Sequence, residues 1–411
     1  MQFGLIGKTL GHSYSKEIHE KIADYKYELL ELSENQLSDF FKKRDFCGIN
    51  VTIPYKQAVI PYLDEVSEIA QKIGAVNTIV NKDGRLIGDN TDFYGMLSLI
   101  KHSGITLKNT KVLILGTGGT SKTAFAVCEH LGAKETVFVS RTKKDGSVTF
   151  DEAKSKHLDA QIIINTTPSG MFPDTDGLPI QISGFDALGG IIDAVYNPLR
   201  TNLVLDAQEK GILAEGGLYM LSAQAVFASS LFLGRKPDES LIDSAYNAVK
   251  NEKENIVLIG MPSAGKTTIG KLLGDTLNKE FFDSDIEITK EIKMSIPEFF
   301  KKYGEAKFRE IEKEVISNLS QKSGVVIATG GGAVLNPQNV RSLKQNGRII
   351  FLNRPFELLT PTQDRPLSTG RDALKKLFDD RFSIYKNSCD IEILADKSPR
   401  LILEEIKKEL I

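Results

Sequence analysis

Twice in this chain a β-branched run feeds a glycine-rich turn and then a helix-forming stretch. The first is Lys111-Val-Leu-Ile-Leu-Gly116, followed by Thr-Gly-Gly-Thr-Ser-Lys-Thr-Ala. The second is Asn255-Ile-Val-Leu-Ile-Gly260, followed by Met-Pro-Ser-Ala-Gly-Lys-Thr-Thr. A strand that is apolar along its whole length is covered on both faces, which points to parallel sheets flanked by helices. The fold class read from this grammar is α/β. At 411 residues the chain has room for two or three domains.

The polar stretch Asn247 to Glu254 suits a helix end plus a short linker, and the main boundary is expected near residue 252. Upstream of residue 103, strand-like pieces (Phe3 to Ile6, Gly48 to Ile53, Thr78 to Val80) alternate with helical ones (Ser15 to Ile22, Glu34 to Arg44, Val59 to Lys72). Tyr219 to Val249 reads as helical. The expected division is 1–102, completed by the helical stretch 219–250, then 103–218, then 253–411. The first two units would form one enzyme around a cleft.

Composition removes several function classes. With 41% hydrophobic and 26% charged residues the chain is no disordered polymer. Its 52 basic and 54 acidic side chains leave a net charge of -2, so nucleic acid is not expected as a partner. The best apolar run, Ala225 to Leu233, is broken by Ser229 and Ser230 and falls far short of the ~20 residues of a membrane span. The start, MQFGLIGKTLGHS, reads as a first strand and lacks signal-peptide character. Three separated cysteines and five scattered histidines argue against a disulfide framework or a zinc site. A reducing cytoplasm is the expected setting.

Gly260-x-x-x-x-Gly265-Lys266-Thr267 fits a phosphate-binding loop between strand and helix. Backbone amides of such a loop and the helix N-terminus wrap phosphates, which places Ser263, Ala264, Gly265, Lys266, Thr267 and Thr268 on the ATP side. Lys266 neutralises the transferred group, and the Thr267 hydroxyl can ligate Mg²⁺. Asp283-Ser284-Asp285 puts two carboxylates at i and i+2 at a strand end. One can hold Mg²⁺ while the other meets an acceptor hydroxyl. Arg309 lies on a helix, Gly330-Gly331-Gly332 lets a ligand approach the backbone, and Asp364-Arg365-Pro366-Leu367 and Arg381-x-x-x-Tyr385 follow. Together these arginines fit a small anionic acceptor.

In that order, the phosphate loop, DxD, FR, GGG, RPL and RxxxY elements resemble shikimate kinase over most of residues 255 to 411. The resemblance implies a P-loop kinase domain with a parallel sheet. It implies Thr267 and Asp283 for Mg²⁺, Asp285 for the shikimate hydroxyls, and Arg309, Gly331 and Arg381 for the acid and ring. Arg365 would be the lid arginine that reaches the phosphates. Ser263 stands where the family has a glycine, and the segment before Arg365 is short and carries no arginine.

The turn Gly116-Thr117-Gly118-Gly119-Thr120-Ser121 is of the dinucleotide-binding, Rossmann-like type. The next strand ends in Ser140-Arg141-Thr142, with Lys143 and Lys144 behind, where an NAD site wants an acidic residue. A guanidinium suits a 2′-phosphate, so the expected cofactor is NADP(H). Ser13 and Ser15 bracket Tyr14 and could hydrogen-bond a carboxylate, or cap the helix after them. Lys56, at a fixed offset from Thr52, and Asp92 make a workable proton-transfer pair for carbonyl reduction.

With HSxS, NVTxPxK, GAVNT, NTD, the glycine loop, SRT, NTTPxGM, DxxYNP and GGxxMLxxQA in order, residues 1 to 250 resemble shikimate dehydrogenase. The resemblance implies Ser13, Ser15, Thr52, Asn77, Asp92 and Gln224 as substrate contacts and Lys56 as catalytic acid/base. It sets Gly116, Thr117, Gly118, Gly119, Thr120, Ser140, Arg141, Thr142, Ala194 and Gly217 along the cofactor, with Tyr196 near both ligands. Lys16 replaces a proline, and only 23 residues separate Arg141 from Asn165, so a helix and a strand of the cofactor domain are expected to be trimmed.

The resulting expectation is a bifunctional enzyme that reduces 3-dehydroshikimate with NADPH and phosphorylates shikimate with ATP, as a monomer or homodimer. Two rivals stay open. One is a quinate-type dehydrogenase joined to a kinase for another hydroxy acid. In the other, one half binds ligand without turnover.

Overall fold

A computed structural model of the chain describes residues 2–11, 13–361 and 370–410. It divides into two compact units, Met1–Lys250 and Asn251–Ile411. Helix Ser240–Lys253 runs through the division, and Glu254 alone separates it from the next strand. The polar stretch read as part linker is therefore almost all helix. Among the described residues no helix is long and apolar enough to cross a membrane.

The first unit holds two six-stranded sheets. In the first sheet are β1 (Phe3–Gly7), β2 (Tyr27–Glu31), β3 (Gly48–Val51), β4 (Glu65–Val66), β5 (Thr78–Lys82) and β6 (Arg85–Asp89), in the order β2-β1-β3-β5-β6-β4. β5 runs antiparallel to β3 and β6, so Asn50 faces Thr78 across the ladder. The second sheet holds β7 (Lys111–Leu115), β8 (Glu135–Ser140), β9 (Ser147–Thr149), β10 (Ile162–Asn165), β11 (Gly190–Asp193) and β12 (Leu213–Glu215). All its pairs are parallel, in the order β12-β11-β10-β7-β8-β9. The chain leaves β7 outward to β9, then returns to the other side of β7. That reversal opens a crevice at the C-terminal ends of β7 and β10, where dinucleotides bind in such sheets.

The second unit has one parallel sheet of β13 (Asn255–Ile259), β14 (Phe281–Asp283), β15 (Val326–Ala328), β16 (Gly347–Asn353) and β17 (Ile391–Leu394), ordered β14-β15-β13-β16-β17. β13 is central and buried at every residue, as the apolar run Ile256 to Ile259 requires. The fold is α/β throughout.

Two readings of local structure are corrected. Val59 to Lys72 is not one helix: Ile60–Tyr62 forms a 3-10 turn around Pro61, β4 pairs with β6, and a helix starts only at Glu68. Pro61 has no N–H to continue a ladder, and the Ser67 hydroxyl caps the new helix by accepting from Ala70 N at 3.2 Å. Tyr219 to Val249 is two helices, Leu218–Phe232 and Ser240–Lys253, parted at Gly234, which has φ 63°. Between Arg141 and Asn165 the chain is compact. A three-residue strand, β9, and the helix Phe150–Lys156 remain, both short.

Candidate active sites

In the first unit, β3 ends in a turn that carries Thr52 and Lys56. The backbone of Lys56 is held by Val76 N at 2.8 Å, and the neighbouring Tyr55 is buried with its hydroxyl donating to Leu32 O at 2.6 Å. This leaves Lys56 to reach Asp92, in the first turn of helix Thr91–His102. Their Nζ and Oδ2 lie 2.6 Å apart, with 17% and 10% of the two side chains exposed. Asn90 caps that helix, accepting from Phe93 N at 3.3 Å while its amide donates to Ala75 O. Beside the pair, Asn77 and Gln224 are joined through Thr91, whose hydroxyl lies 3.2 Å from Asn77 Oδ1 and 3.5 Å from Gln224 Oε1. Ser13 Oγ is 3.1 Å from Ser15 Oγ and accepts from Ser15 N at 3.3 Å; the cap position itself is Tyr14. The Tyr14 and Tyr196 rings pack at 5.3 Å, and burial pushes the Tyr196 phenol up to about 12. Thr52 packs its methyl against Gly7 and, among the described residues, shares no hydrogen bond with the other expected contacts.

At the end of β7, Gly116 turns with φ 111°, and a side chain there would press on the Thr166 hydroxyl at 2.7 Å. Helix Gly119–His130 begins two residues after Thr117, with Gly118 as its N-cap. A Cβ on Gly119 would sit 4.0 Å from the Lys56 stem, so the turn and the lysine border one space. Open glycines at a helix start fit a dinucleotide pyrophosphate. Ser121, in the third glycine position, turns inward and donates to Gly118 O at 2.6 Å. Arg141 is exposed past β8, and Lys144 reaches back to the Thr117 hydroxyl at 3.2 Å. Ser140 is buried 3.0 Å from Ser147 Oγ, and the backbone of Thr142 accepts from its hydroxyl. Thr120 lies in the helix's first turn. Gly217 lies so close to Ala194 O that a Cβ would overlap it.

In the second unit, Gly260 and Gly265 adopt φ 145° and 93°, and helix Lys266–Leu277 starts directly behind. Lys266 is buried, its ammonium donating to Gly260 O at 2.8 Å and Met261 O at 2.9 Å. Ser263 takes φ 62°, and its hydroxyl accepts from Thr360 N at 3.0 Å. Ala264 is buried and Thr268 exposed. Thr267 donates to Asp283 Oδ2 at 2.7 Å, and Asp283 Oδ1 accepts from Asp285 N at 3.0 Å. A hydroxyl and a carboxylate in contact suit Mg²⁺, a hard ion that completes its shell with water and phosphate oxygens. Among the described residues no cluster of three or more His, Cys, Asp or Glu side chains forms a self-sufficient cage.

A cavity of about 740 Å³ brings Thr267, Asp283, Asp285, Arg309, Gly331 and Arg381 together. Each glycine of the triad makes room for a different group. A Cβ on Gly330 would overlap Asp285 Oδ1, one on Gly331 would meet Pro262, and one on Gly332 would overlap the Arg309 guanidinium. Arg381 is 5% exposed and donates to Gly331 O at 3.0 Å. The expected lid residue Arg365 lies outside the described residues.

Glu312 and Ser284 escaped the sequence reading. Glu312 is 1% exposed and bonds Arg309 at 2.8 Å; burial pushes its carboxyl above the ordinary range despite that partner. Its i+3 spacing from Arg309 on a helix was the available signal. Ser284 is fully buried and accepts from Gly330 N at 2.8 Å, a contact between strand ends that no local pattern reveals.

Comparison with known proteins finds relatives for both units. Residues 262–411 match the shikimate kinase family model, and residues 5–79 match the model of the shikimate dehydrogenase substrate binding domain. A shikimate dehydrogenase (NADP(+)) of Clostridium perfringens is 36% identical over 266 residues, spanning 60% of this chain and 98% of that protein. Among solved structures, shikimate dehydrogenase 1 from Peptoclostridium difficile is 34% identical, covering 61% of this chain and 98% of its own, with a TM-score of 0.57. Shikimate 5-dehydrogenase from Thermus thermophilus, in complex with NADP(H) and shikimate, is 31% identical, covering 60% and 99%, with a TM-score of 0.55.

Proposed function

The chain belongs to the shikimate dehydrogenase family through its first unit and carries a shikimate kinase domain in its second, and on that premise we propose that it catalyses two steps on one acid. It is an oxidoreductase and a phosphotransferase of the shikimate pathway. The first unit reduces 3-dehydroshikimate to shikimate with NADPH, and the second transfers a phosphoryl group from ATP to the 3-hydroxyl of shikimate. The domain division is proposed as 1–102 with 219–250 for substrate, 103–218 for NADP, and 253–411 for the kinase. The single observation that carries the reading is that each glycine turn has its own acid–base constellation, Lys56 with Asp92 and Asp285 with Arg309 and Arg381.

When bound, NADPH supplies hydride, ATP supplies the phosphoryl group, and Mg²⁺ offsets phosphate charge. Lys56 holds the proton that the ketone oxygen needs, and Asp92 orients its ammonium. Ser13 and Ser15 present hydroxyls to the carboxylate, while Thr52, Asn77 and Gln224 hold the ring hydroxyls. Gly116 to Thr120 receive the pyrophosphate, and Ser140, Arg141 and Thr142 the phosphorylated ribose. Ala194, Tyr196 and Gly217 border the nicotinamide end. In the kinase, Thr267 and Asp283 would hold Mg²⁺, Lys266 turns from its carbonyl partners to the phosphates, and Asp285 orients the attacking hydroxyl. Arg309, Gly331 and Arg381 fix the acid, with Arg365 proposed at the phosphates.

Lys56→Ala is expected to abolish reduction and spare phosphorylation, and Lys266→Ala to do the reverse. The assays are separate: NADPH oxidation with 3-dehydroshikimate supplied, and ADP release with shikimate supplied. If either variant silences both reactions, the two-site model is wrong.

A further inference from the structure

We propose that a buried one-way chain of hydrogen bonds, from Tyr27 through Asn50, Thr78 and Thr91, fixes the Asn77 amide so that only its NH₂ group faces the substrate. The ligand group opposite must then offer a lone pair. The inference rests on the reading that Asn77 contacts the hydroxy acid, and it adds four positioning residues that touch no substrate atom themselves.

The orientation follows from donors that cannot be reversed. Thr91 N–H can only donate, so the Asn77 atom 2.6 Å from it is the oxygen. Likewise the Asn77 backbone carbonyl can only accept, so the Asn50 atom 3.2 Å away is the nitrogen. That same nitrogen donates to Thr78 Oγ1 at 3.0 Å. Asn50 Oδ1 is left to accept from the Tyr27 hydroxyl at 2.7 Å. Burial raises the Tyr27 phenol well above its ordinary value, which keeps it a donor.

Thr78, having accepted, has one proton to pass on, to Thr91 Oγ1 at 2.8 Å or to Asn77 Oδ1 at 3.1 Å. The Thr91 hydroxyl reaches Asn77 Oδ1 at 3.2 Å. Both threonine hydroxyls thus reach Asn77 Oδ1, with Gln224 Oε1 at 3.5 Å the longer alternative for Thr91. All five residues are 4% exposed or less, so water cannot substitute for a lost link. The chain is built into the centre of the first sheet, where Asn50 and Thr78 are register partners. The Tyr27 ring is held by stacking on His19 at 4.0 Å.

Among the described residues Asn77 Nδ2 donates no hydrogen bond. It is also not one of the enclosed unpaired side-chain atoms, which are His19 Nε2, His157 Nδ1, Ser229 Oγ and Asn339 Oδ1. The NH₂ group thus keeps some accessible surface in a residue otherwise buried.

The test measures shikimate oxidation by NADP⁺ in the full chain carrying Asn77→Ala, Thr78→Val, Thr78→Ser or Tyr27→Phe, with thermal unfolding recorded for each. Asn77→Ala is expected to raise KM for shikimate. Thr78→Val is expected to raise it about tenfold, with kcat and KM for NADP⁺ within about twofold, the change a single lost buried hydrogen bond produces. Tyr27→Phe, which keeps the stack, is expected to raise KM by about threefold or more, and Thr78→Ser to restore it. If Asn77→Ala leaves KM unchanged, Asn77 is not a substrate contact and the underlying reading falls. If Asn77→Ala raises KM but Thr78→Val and Tyr27→Phe lower only the unfolding temperature, the positioning chain is refuted. Should Thr78→Val not fold, Tyr27→Phe against wild type decides between these two outcomes.

Discussion

Replacing Gly330 by alanine puts the kinase geometry under a direct load. The added Cβ would land about 1 Å inside the 3.4 Å at which ordinary contact with Asp285 Oδ1 begins. Gly330 does not have a positive φ, so alanine costs little in the backbone, and the bond from its N–H to Ser284 can survive. The short Asp285 side chain yields by rotating, at about 1 kcal/mol for an off-rotamer angle. Stability therefore changes modestly, whereas the carboxylate proposed to orient the attacking hydroxyl moves by about 1 Å. A displacement of that size costs on the order of 100-fold in rate, or about 2.7 kcal/mol of barrier. ADP release with saturating shikimate should show kcat reduced by that factor, with KM for ATP nearly unchanged. NADP⁺ reduction by the same preparation serves as the internal control, because its residues lie in the other unit. A kcat within about threefold of wild type would refute the reasoning, since either Asp285 tolerates the shift or its position is not what limits transfer.

Two further outcomes are open to simple assays. Arg141→Gln should raise KM for NADPH on the order of 10- to 100-fold, the loss of a charge-assisted phosphate contact, and leave the weaker use of NADH unaffected; parallel NADPH and NADH titrations check it. His19 is buried and its pKa is lowered to about 3 by desolvation, so the fold holds it neutral. Its depressed pKa contributes stability that is present above the unfolded value of 6.5 and is lost as pH falls from there toward 3, about 2 kcal/mol by pH 5. His19→Phe, which keeps a ring against Tyr27, should flatten that part of the acid-unfolding curve.

Much of the site was legible because its members sit in short motifs. Lys56 follows β3 by a fixed offset, Asp92 opens a helix, and Asp283 and Asp285 straddle a strand end. What escaped was of two kinds. β2 carries Glu28, Glu31 and a partly exposed Leu29, because it is an edge strand with one side toward solvent, and its pattern does not separate from a loop. Glu312, Ser284, Asn50 and Thr78 act through partners 3 to 46 residues away, which the fold alone brings within reach.

Local chemistry in the sequence determined that two glycine bends would follow buried strands, because backbone conformation and strand burial depend on nearest neighbours. Tertiary structure decided which side of each functional group faces the ligand. The Asn77 amide, the Asp285 carboxylate and the Arg309 guanidinium are oriented by hydrogen bonds and by the missing side chains of Gly330 and Gly332. Directional contacts of that kind exist only once distant strand ends share one sheet edge.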